Sequence, residues 1–363
     1  MRKAKQLLVN LVVLGTLASC GRLSIINQSQ YETYFYVRDG VTIEKFSDYS
    51  PNLKDTLGDA NIYKIEGVKP GPSALILGGC HPNEPSGQLA ATLLLENLEV
   101  EAGTIYIVTE TFKSVYTNDS PEKSKDSYYN INTQNGTRKF KFGTQTDISK
   151  IHNSYPGKAD GTTFEKTAYA VTQLIKQNDI AMTIDLREST PNYFPINTII
   201  AHEDAVAVAS MAHMFVMFQG VKISVDQSPT SLLNLSHRAL GDHTDTLAMQ
   251  SLVSSVAKVK ENGPEIESLI LPGENISWNE SDTTYAEPLS VTEGVARHII
   301  TINELLNAYN EELSYGDGGI FGRILNGKRL VEGMFTVHNI PSYDEIIENG
   351  VGYYLADQPE DYQ

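Results

Sequence analysis

The segment Gly78-Gly79-Cys80-His81-Pro82-Asn83-Glu84-Pro85 contains the strongest chemical signal in the sequence. His81 and Glu84 are three residues apart in a turn rich in glycine and proline, so an imidazole nitrogen and a carboxylate oxygen can converge there. Zinc accepts this pair of ligands, and a catalytic zinc keeps one position open for water. The alternative is a surface turn with a capping glutamate. We therefore treat His81 and Glu84 as candidate metal ligands.

A strand and a helix must hold this turn in place. The run from Ala74 to Leu77 is continuously apolar and ends in glycines, which is typical of a strand buried on both faces. Residues Gln88 to Leu98 repeat leucines at helical spacing, which predicts a helix directly after the turn. Open α/β sheets bind ligands at the carboxyl ends of their strands. The turn has the position expected of a functional site.

Strand and helix patterns alternate over most of the remaining chain. Capping boxes that begin at Thr162 and at Ser290 predict the starts of two helices, and Gly220 is expected to end a third. Short apolar runs predict strands at 105–108, 182–186, 197–201 and 221–225. This alternation predicts an α/β fold, with a mixed, mostly parallel sheet and helices on both faces.

The sequence divides into four parts. We expect a lipoprotein signal peptide at 1–19, an N-terminal linker with strands at 20–72, an α/β domain at 73–312 and a small β extension at 313–363. The run Tyr34-Phe35-Tyr36-Val37 is predicted to be a strand. Residues 117–160 are polar and predict a long loop, and such loops are usually functional or disordered.

Several motifs in order resemble those of one family. The turn at 78–85 is similar to the zinc-binding start of succinylglutamate desuccinylase/aspartoacylase-type deacylases, which are relatives of the zinc carboxypeptidases. Residues 153–157 resemble that family's Asn-Arg-x-Phe-Pro-Gly, residues 185–188 resemble its Asp-Leu-His-Glu, and residues 235–242 resemble a segment of a lipoprotein-like or secreted branch. The resemblance implies a carboxypeptidase-like fold, a zinc cofactor and cleavage of an amide bond near a carboxylate.

The resemblance also implies site residues, and two of the inherited positions depart from the family. His81 and Glu84 match the first two zinc ligands, but Arg187 stands where the family has a second histidine. An arginine does not deprotonate to become a ligand, and its charge repels Zn²⁺. Ser154, next to Asn153, stands where the family has the arginine that grips the substrate carboxylate. We assign both of these residues to substrate binding.

The general base that activates water is a glutamate in the family. Gln250 occupies the position at which the resemblance places this glutamate, and Glu287 is the other candidate for the general base. Arg238, which follows His237, is a candidate replacement for the arginine that grips the substrate. The catalytic set implied by the resemblance is therefore Glu287, Gln250 and Arg187. Arg187, Ser154 and Gln250 depart from the family in three different roles, which are metal binding, substrate binding and general base.

Two hypotheses explain Arg187. In the arginine-plug hypothesis, its guanidinium takes the place of the metal and pairs bidentately with Glu84. The chain is then a non-catalytic relative that binds a peptide, glycan or acyl-amino-acid ligand. In the other hypothesis zinc remains, and His202, His237 or His243 supplies the third ligand. The chain is then a metallohydrolase for a small carboxylate-bearing or peptide substrate, so the sequence leaves enzymatic activity open.

The N-terminus predicts the location of the protein. A basic start precedes an apolar run from Leu7 to Leu17, which is too short to span a bilayer, and the segment Leu17-Ala18-Ser19-Cys20 resembles a bacterial lipobox. We expect acylation of Cys20 and an extracytoplasmic protein anchored to a membrane. Only Cys80 would then remain, which excludes an internal disulfide. The formal net charge of −17 argues against a nucleic-acid partner.

Overall fold

The computed structural model describes residues 33–116, 128–141, 148–189, 197–254, 257–259, 266–268, 289–314 and 333–360. Nine strands in these ranges form one mixed sheet. In chain order they are β1 (Thr42–Lys45), β2 (Asn61–Glu66), β3 (Lys69–Leu77), β4 (Glu99–Val108), β7 (Ile180–Glu188), β8 (Thr198–Ala201), β9 (Ser224–Gln227), β10 (Leu247–Val253) and β13 (Thr336–His338). Two separate hairpins consist of β5 (Tyr128–Asn132) with β6 (Thr137–Lys141) and of β11 (Ala257–Val259) with β12 (Ile266–Ser268).

The sheet has a parallel centre with antiparallel pairings on both sides of it, and a parallel β8–β9 pair forms one edge. Its strand order is β1-β2-β4-β3-β7-β10-β8-β9, and β13 pairs with the start of β4. The four central strands β4, β3, β7 and β10 are parallel to their neighbours within that group. Every residue of β7 is buried, as expected for a strand covered on both faces. The predicted mixed sheet is confirmed.

Helices cover both faces of this sheet. Those in the described ranges are α1 (Phe46–Tyr49), α2 (Pro85–Asn97), α3 (Ile148–His152), α4 (Thr163–Gln177), α5 (Val206–Phe218), α6 (Ser236–His243), α7 (Val291–Ser314) and α8 (Tyr343–Asn349). Apolar side chains of α2, α5 and α7 form one core cluster, and those of α1, α4 and α6 form another on the opposite face. The predicted arrangement of helices on both faces is confirmed.

The predicted helix ends have the expected chemistry. The Thr162 hydroxyl accepts the Glu165 N–H, and the Glu165 carboxylate accepts the Thr162 N–H, so α4 begins with a complete capping box. Ser290 and Glu293 make the same reciprocal pair at the start of α7. Gly220, with a φ of +81°, follows the end of α5.

Two local predictions were wrong. Residues 34–37 were predicted as a strand, but they form no regular structure. The polar region 117–160 was predicted as a loop, but its described part contains the hairpin β5–β6 and helix α3. Tyr129 and Phe140 stack at 5.5 Å across this hairpin and are fully buried. Tertiary packing therefore overrides the polar local composition.

A buried ion pair connects this hairpin to the C-terminal residues. Arg138 is wholly buried and donates to Oε1 of Glu96 at 2.6 Å and to the carbonyl of Ala356 at 3.3 Å. The other oxygen of Glu96 accepts the N–H of Ala356 at 2.7 Å. The pair and its partner Ala356 come from three distant parts of the chain, and these hydrogen bonds offset part of the cost of burying two charges.

Both predicted flanking regions contribute to the main sheet. The region 20–72 supplies β1, β2 and the start of β3, and the described part of 313–363 supplies β13 together with helix α8. Among the described residues, no helix combines the length and the apolar character needed to span a membrane.

Candidate functional site

The turn after β3 depends on a glycine. Gly79 has a φ of +58°, and a Cβ at this position would lie 2.3 Å from the carbonyl oxygen of Thr109. Neither the conformation nor the space suits a larger residue. The turn carries Cys80 and His81 away from the end of the strand and into the interior, where each is about 1% exposed.

Helix α2 brings Glu84 against strand β7. Glu84 immediately precedes Pro85, the first residue of the helix. A Cβ on Gly87 would lie 2.8 Å from the carbonyl oxygen of Leu186, so this glycine permits the close approach of helix and strand. The N–H of Glu188 in β7 donates to Oε2 of Glu84 at 3.2 Å. The sequence pattern Gly-x-x-x-x-Glu-x-x-Gly, from Gly79 to Gly87, therefore positions one carboxylate beside one strand.

Arg187 is the centre of a buried group that we call the Arg187 cluster, which consists of His81, Glu84, His152, Asp185 and Arg187. Its Nε donates to Oε2 of Glu84 at 3.1 Å, and its Nη1 lies 3.4 Å from Oδ2 of Asp185. Its Nη2 lies 2.7 Å from Nε2 of His81 and 2.8 Å from Nε2 of His152. One guanidinium therefore contacts two carboxylates and two imidazoles.

These contacts favour neutral imidazoles. A guanidinium only donates hydrogen bonds, so Nε2 of His152 acts as an acceptor, whereas Nη2 lies near both ring nitrogens of His81, 2.7 Å from Nε2 and 2.9 Å from Nδ1. We assign the proton of His81 to Nδ1 because this atom also contacts Oε1 of Glu84. Both histidines are neutral in this arrangement, and Arg187 is the cation of the cluster.

The pKa shifts agree with this assignment. Burial and the charge of Arg187 lower the pKa of His81, and the same two causes lower the pKa of His152 to about 3. Burial raises the pKa of Glu84, but His81 and Arg187 outweigh it and bring the value to about 2. Burial lowers the pKa of Arg187, but Glu84 and Asp185 outweigh it and raise the value. At neutral pH the cluster contains ionised Glu84 and Arg187.

Asp185 connects the cluster to two further side chains. The Cys80 thiol donates to its Oδ1 at 2.9 Å, and the Ser236 hydroxyl donates to its Oδ2. Burial, followed by the charge of Asp185, raises the pKa of the Cys80 thiol well above its usual value. Cys80 is therefore a protonated hydrogen-bond donor and not a thiolate nucleophile.

The residues present do not fit zinc at His81 and Glu84. Both ring nitrogens of His81 and the Oε2 atom of Glu84 contact the Arg187 guanidinium. A divalent cation placed between them would meet a fixed positive charge in a buried site. The geometry is that of the arginine plug with one difference: only Nε pairs with Glu84, and Nη2 turns to the two histidines instead of completing a bidentate pair.

The sequence interpretation missed His152. It is the last residue of α3 and comes directly before the Asn153-Ser154-Tyr155-Pro156-Gly157 motif, and it is half-buried. Proximity to that motif was the one signal that could have found it. Asn153 is exposed, and Ser154 is buried with its hydroxyl donating to the Ile151 carbonyl at 2.7 Å. Ser154 therefore closes a turn, and His152 is the residue of this segment that contacts Arg187.

Gln250 lies on β10 and is the register partner of Asp185 on β7, so it is adjacent to the cluster at the level of the sheet. Glu287, the other candidate base, and Cys20, the expected lipid attachment site, lie outside the described residues. The assignment of a general base to either Gln250 or Glu287 stays a prediction.

A second group lies on α6 and after β8, and we call it the Arg238 cluster: His202, Glu203, Arg238 and Asp242. Arg238 Nε donates to Oδ2 of Asp242 at 2.8 Å, and Arg238 Nη2 donates to Oε1 of Glu203 at 3.1 Å. His202 Nε2 lies 3.1 Å from Oδ1 of Asp242. Arg238 is thus engaged on both edges by carboxylates of its own chain, which does not fit its predicted role of gripping a substrate carboxylate.

Ligand atoms of His202, Glu203 and Asp242 all lie within 4.8 Å of one another, a spacing that can hold a metal ion. None of the three predicted replacement ligands joins His81 and Glu84, however. In the described part of the chain His202 belongs to the Arg238 cluster. Nδ1 of His237 pairs with the Ser228 hydroxyl at 2.8 Å, and His243 is exposed. The structure therefore gives no support to a third histidine at the original site.

Comparisons with known proteins give structural matches alone. No family model matches this sequence, and no curated protein matches it. Structures of the cell shape determinant protein Csd4 from Helicobacter pylori match with TM-scores of 0.43 (apo, 14% identity) and 0.42 (tripeptide-bound, 15% identity). Both matches cover 68% of this chain, with 53% and 54% of those chains. The chain spans about half the length of Csd4.

Family structures of the kind that the sequence resembles also match. A succinylglutamate desuccinylase from Silicibacter matches with a TM-score of 0.34 and 16% identity, over 53% of this chain and 52% of that one. An aspartoacylase family protein from Mesorhizobium loti matches with a TM-score of 0.32 and 18% identity, over 54% of this chain and 64% of that one. The chain is similar in structure to succinylglutamate desuccinylase/aspartoacylase family proteins. The match is one of structure alone.

Proposed function

We propose that this chain is a non-hydrolytic binding protein in which a buried arginine replaces the metal of a zinc-hydrolase-type site. One observation carries the proposal: the guanidinium of Arg187 contacts His81, Glu84 and Asp185 within a single buried cluster. Hydrolysis through zinc needs a metal at these ligands and an open position for water. The guanidinium instead supplies the positive charge that keeps Glu84 ionised.

The ligand we propose is a small peptide or acyl-amino acid. Its class follows from the sequence resemblance to deacylases. Its location follows from the position of the cluster at the carboxyl ends of β3 and β7, where α/β sheets bind ligands. His152 is half-buried and Asn153 is exposed, so we expect the ligand to approach the cluster beside these two residues.

Zinc content tests the proposal directly. The full chain is incubated with excess zinc, passed through a desalting column and measured by plasma mass spectrometry. We expect wild type to retain no stoichiometric zinc and Arg187→His to gain it, because a neutral imidazole then completes a His-Glu-His set. Arg187→Gln is the matched control: it removes the same charge but supplies no imidazole, so it should retain less zinc than Arg187→His.

Activity and binding complete the test. Wild type should retain an N-acetylated dipeptide in equilibrium dialysis without releasing free amino acid from it. Stoichiometric zinc in wild type that disappears in His81→Ala, together with amino-acid release, would establish the metallohydrolase instead. Zinc that disappears in His202→Ala but not in His81→Ala would assign the metal to the Arg238 cluster.

We also propose that the protein is anchored outside the cytoplasm through an acylated Cys20. The support is the basic start, the short apolar run and the small residues before this cysteine. Bacteria that express the chain are labelled with radioactive palmitate. Label should enter wild type and be absent from Cys20→Ser, and equal labelling of the two would reject the anchor. Cys80→Ser is the matched control and should be labelled like wild type.

A further inference from the structure

A surface pocket of about 510 Å³ lies at the β9 edge of the sheet. Its walls come from the segment between α5 and β9, from α7 and from the start of α8. None of the residues that line it belongs to the Arg187 cluster or the Arg238 cluster. The volume falls within the range of about 300–1,000 Å³ that is usual for small-molecule sites. This pocket is therefore separate from the proposed peptide site.

Two cations line this pocket, and neither has a carboxylate partner within the described ranges. The Arg297 guanidinium contacts one acceptor, the backbone carbonyl of Lys222 at 2.5 Å, and its Nε is a buried donor without an acceptor. Lys222 is exposed and forms no ion pair in the described part of the chain. Asp344 also lines the pocket, but it pairs with neither cation.

The lack of carboxylate partners distinguishes Arg297 from three other arginines. Arg138, Arg187 and Arg238 each pair with at least one carboxylate of this chain, as expected where acidic groups outnumber basic ones by 17. With two cations and one carboxylate, the lining keeps a net positive charge, and a concave surface of this kind attracts anions even when the whole chain is acidic. The N–H groups of the terminal nitrogens of Arg297 that the Lys222 carbonyl does not engage can bind a planar oxyanion, whereas the buried Nε is not available to it.

Apolar side chains supply another part of the lining. Val221 is 5% exposed and belongs to a small core cluster with Ile300. Ile223 and Tyr343 pack partly against the same cluster, and all three of Val221, Ile223 and Tyr343 face the pocket. The lining thus combines two cations with a fixed apolar surface, the usual composition of a site for an amphipathic small molecule.

We propose that this pocket binds a small organic anion in which a carboxylate is joined to an apolar group. The carboxylate accepts hydrogen bonds from the Arg297 guanidinium, and Lys222 adds a second positive charge at the rim. The apolar group packs against Val221, Ile223 and Tyr343. This site extends beyond the proposed function, because it needs neither the Arg187 cluster nor its ligand.

Hexanoate is the probe, and hexanamide is its uncharged counterpart. Binding to the full chain is measured by saturation-transfer NMR titration. Hexanoate should bind wild type, and Arg297→Gln should weaken it about tenfold through the loss of charge-assisted hydrogen bonds. Lys222→Gln, an exposed substitution that leaves the fold intact, should weaken it about threefold. Lys176→Gln removes the same charge from an exposed position on α4 and should bind like wild type.

The binding results either establish or overturn the proposed anion site. Weakening by both pocket variants, with wild-type affinity in Lys176→Gln and weaker binding of hexanamide, establishes the site. Absence of hexanoate binding to wild type overturns it, as does equal binding by Lys222→Gln and wild type or equal binding of hexanamide and hexanoate. Arg187→His serves as an independent marker, since a change in zinc content there should leave hexanoate affinity unchanged whether or not the proposed peptide-binding function holds.

Discussion

The Arg187 cluster and the Arg238 cluster combine the same residue types at different depths. Each places an arginine between carboxylates and beside histidine. In the Arg187 cluster the side chains of Glu84 and Asp185 are 6% and 2% exposed. In the Arg238 cluster the side chains of Glu203 and Asp242 are 32% and 26% exposed. Depth is therefore the main physical difference between them.

This difference decides what each arginine does for the protein. Water solvates Glu203 and Asp242 and screens their interaction with Arg238, so that pairing contributes little to the free energy of folding. Water does not reach Glu84 and Asp185 to the same extent, and removal of their partner leaves two buried negative charges. We therefore expect the fold to require Arg187, whose carboxylate partners are buried, more than Arg238, whose partners are solvated.

The largest expected effect comes from the loss of the buried arginine. We expect Arg187→Met to lower the free energy of unfolding by about 3–5 kcal/mol, because it leaves Glu84 and Asp185 without a buried counter-charge. The measurement is urea denaturation at neutral pH, followed by circular dichroism. The matched variant Arg238→Met should cost about 1 kcal/mol, because its partners remain solvated.

An equal loss of unfolding free energy in Arg187→Met and Arg238→Met would show that burial does not distinguish the two clusters. A double variant gives a second test: Arg187→Met combined with Glu84→Gln should recover part of the stability, because it no longer buries the Glu84 charge. The corresponding pair, Arg238→Met with Glu203→Gln, should recover much less.

A smaller effect is the pH dependence of stability that comes from His237, whose pKa is lowered by the charges of both arginines. Burial first, then Arg187 and Arg238, lowers its pKa from 6.5 to about 3. The folded state therefore holds His237 neutral, while the unfolded chain takes up a proton as pH falls below 6.5. Its contribution to stability is complete above pH 6.5 and is lost as pH falls towards 3. Between pH 7 and pH 5 this amounts to about 2 kcal/mol.

Urea denaturation at pH 7 and pH 5 tests this sign. His237→Asn keeps an acceptor for the Ser228 hydroxyl but does not titrate in this range, so its loss of stability on acidification should be about 2 kcal/mol smaller than that of wild type. The same dependence on pH in both proteins would contradict the shift. His243→Asn, at an exposed position, is the control and should behave like wild type.

Much of the fold follows from local sequence. The run Ala74–Leu77 ends at glycines because the chain must turn beside Thr109, and the boxes at Thr162 and Ser290 specify their helix starts by side-chain hydrogen bonds within one turn. These features depend on residues close in sequence, so a pattern detects them. The pairing of His81, Glu84 and Arg187 was also accessible, since the sequence resemblance assigns the three to one site.

Other features depend on residues far apart in the chain. The hairpin β5–β6 was missed because Arg138 is stabilised by Glu96, 42 positions away, and by Ala356, 218 positions away. His152 was missed because its role comes from its distance to Arg187, not from its neighbours in sequence. Arg238 was assigned to the substrate carboxylate although its i,i+4 spacing to Asp242 predicts a helical ion pair; its second partner, Glu203, lies 35 positions away and could not be read from the local sequence.

The ion pair of Glu96 and Arg138 has a consequence for synthesis. Glu96 accepts the N–H of Ala356, which is 260 residues later in the chain. While the chain emerges from the ribosome, the helix that carries Glu96 exists long before this last partner does. The residues that follow α8, Ala356 among them, therefore complete the hydrogen bonds of a buried pair whose two members are made much earlier.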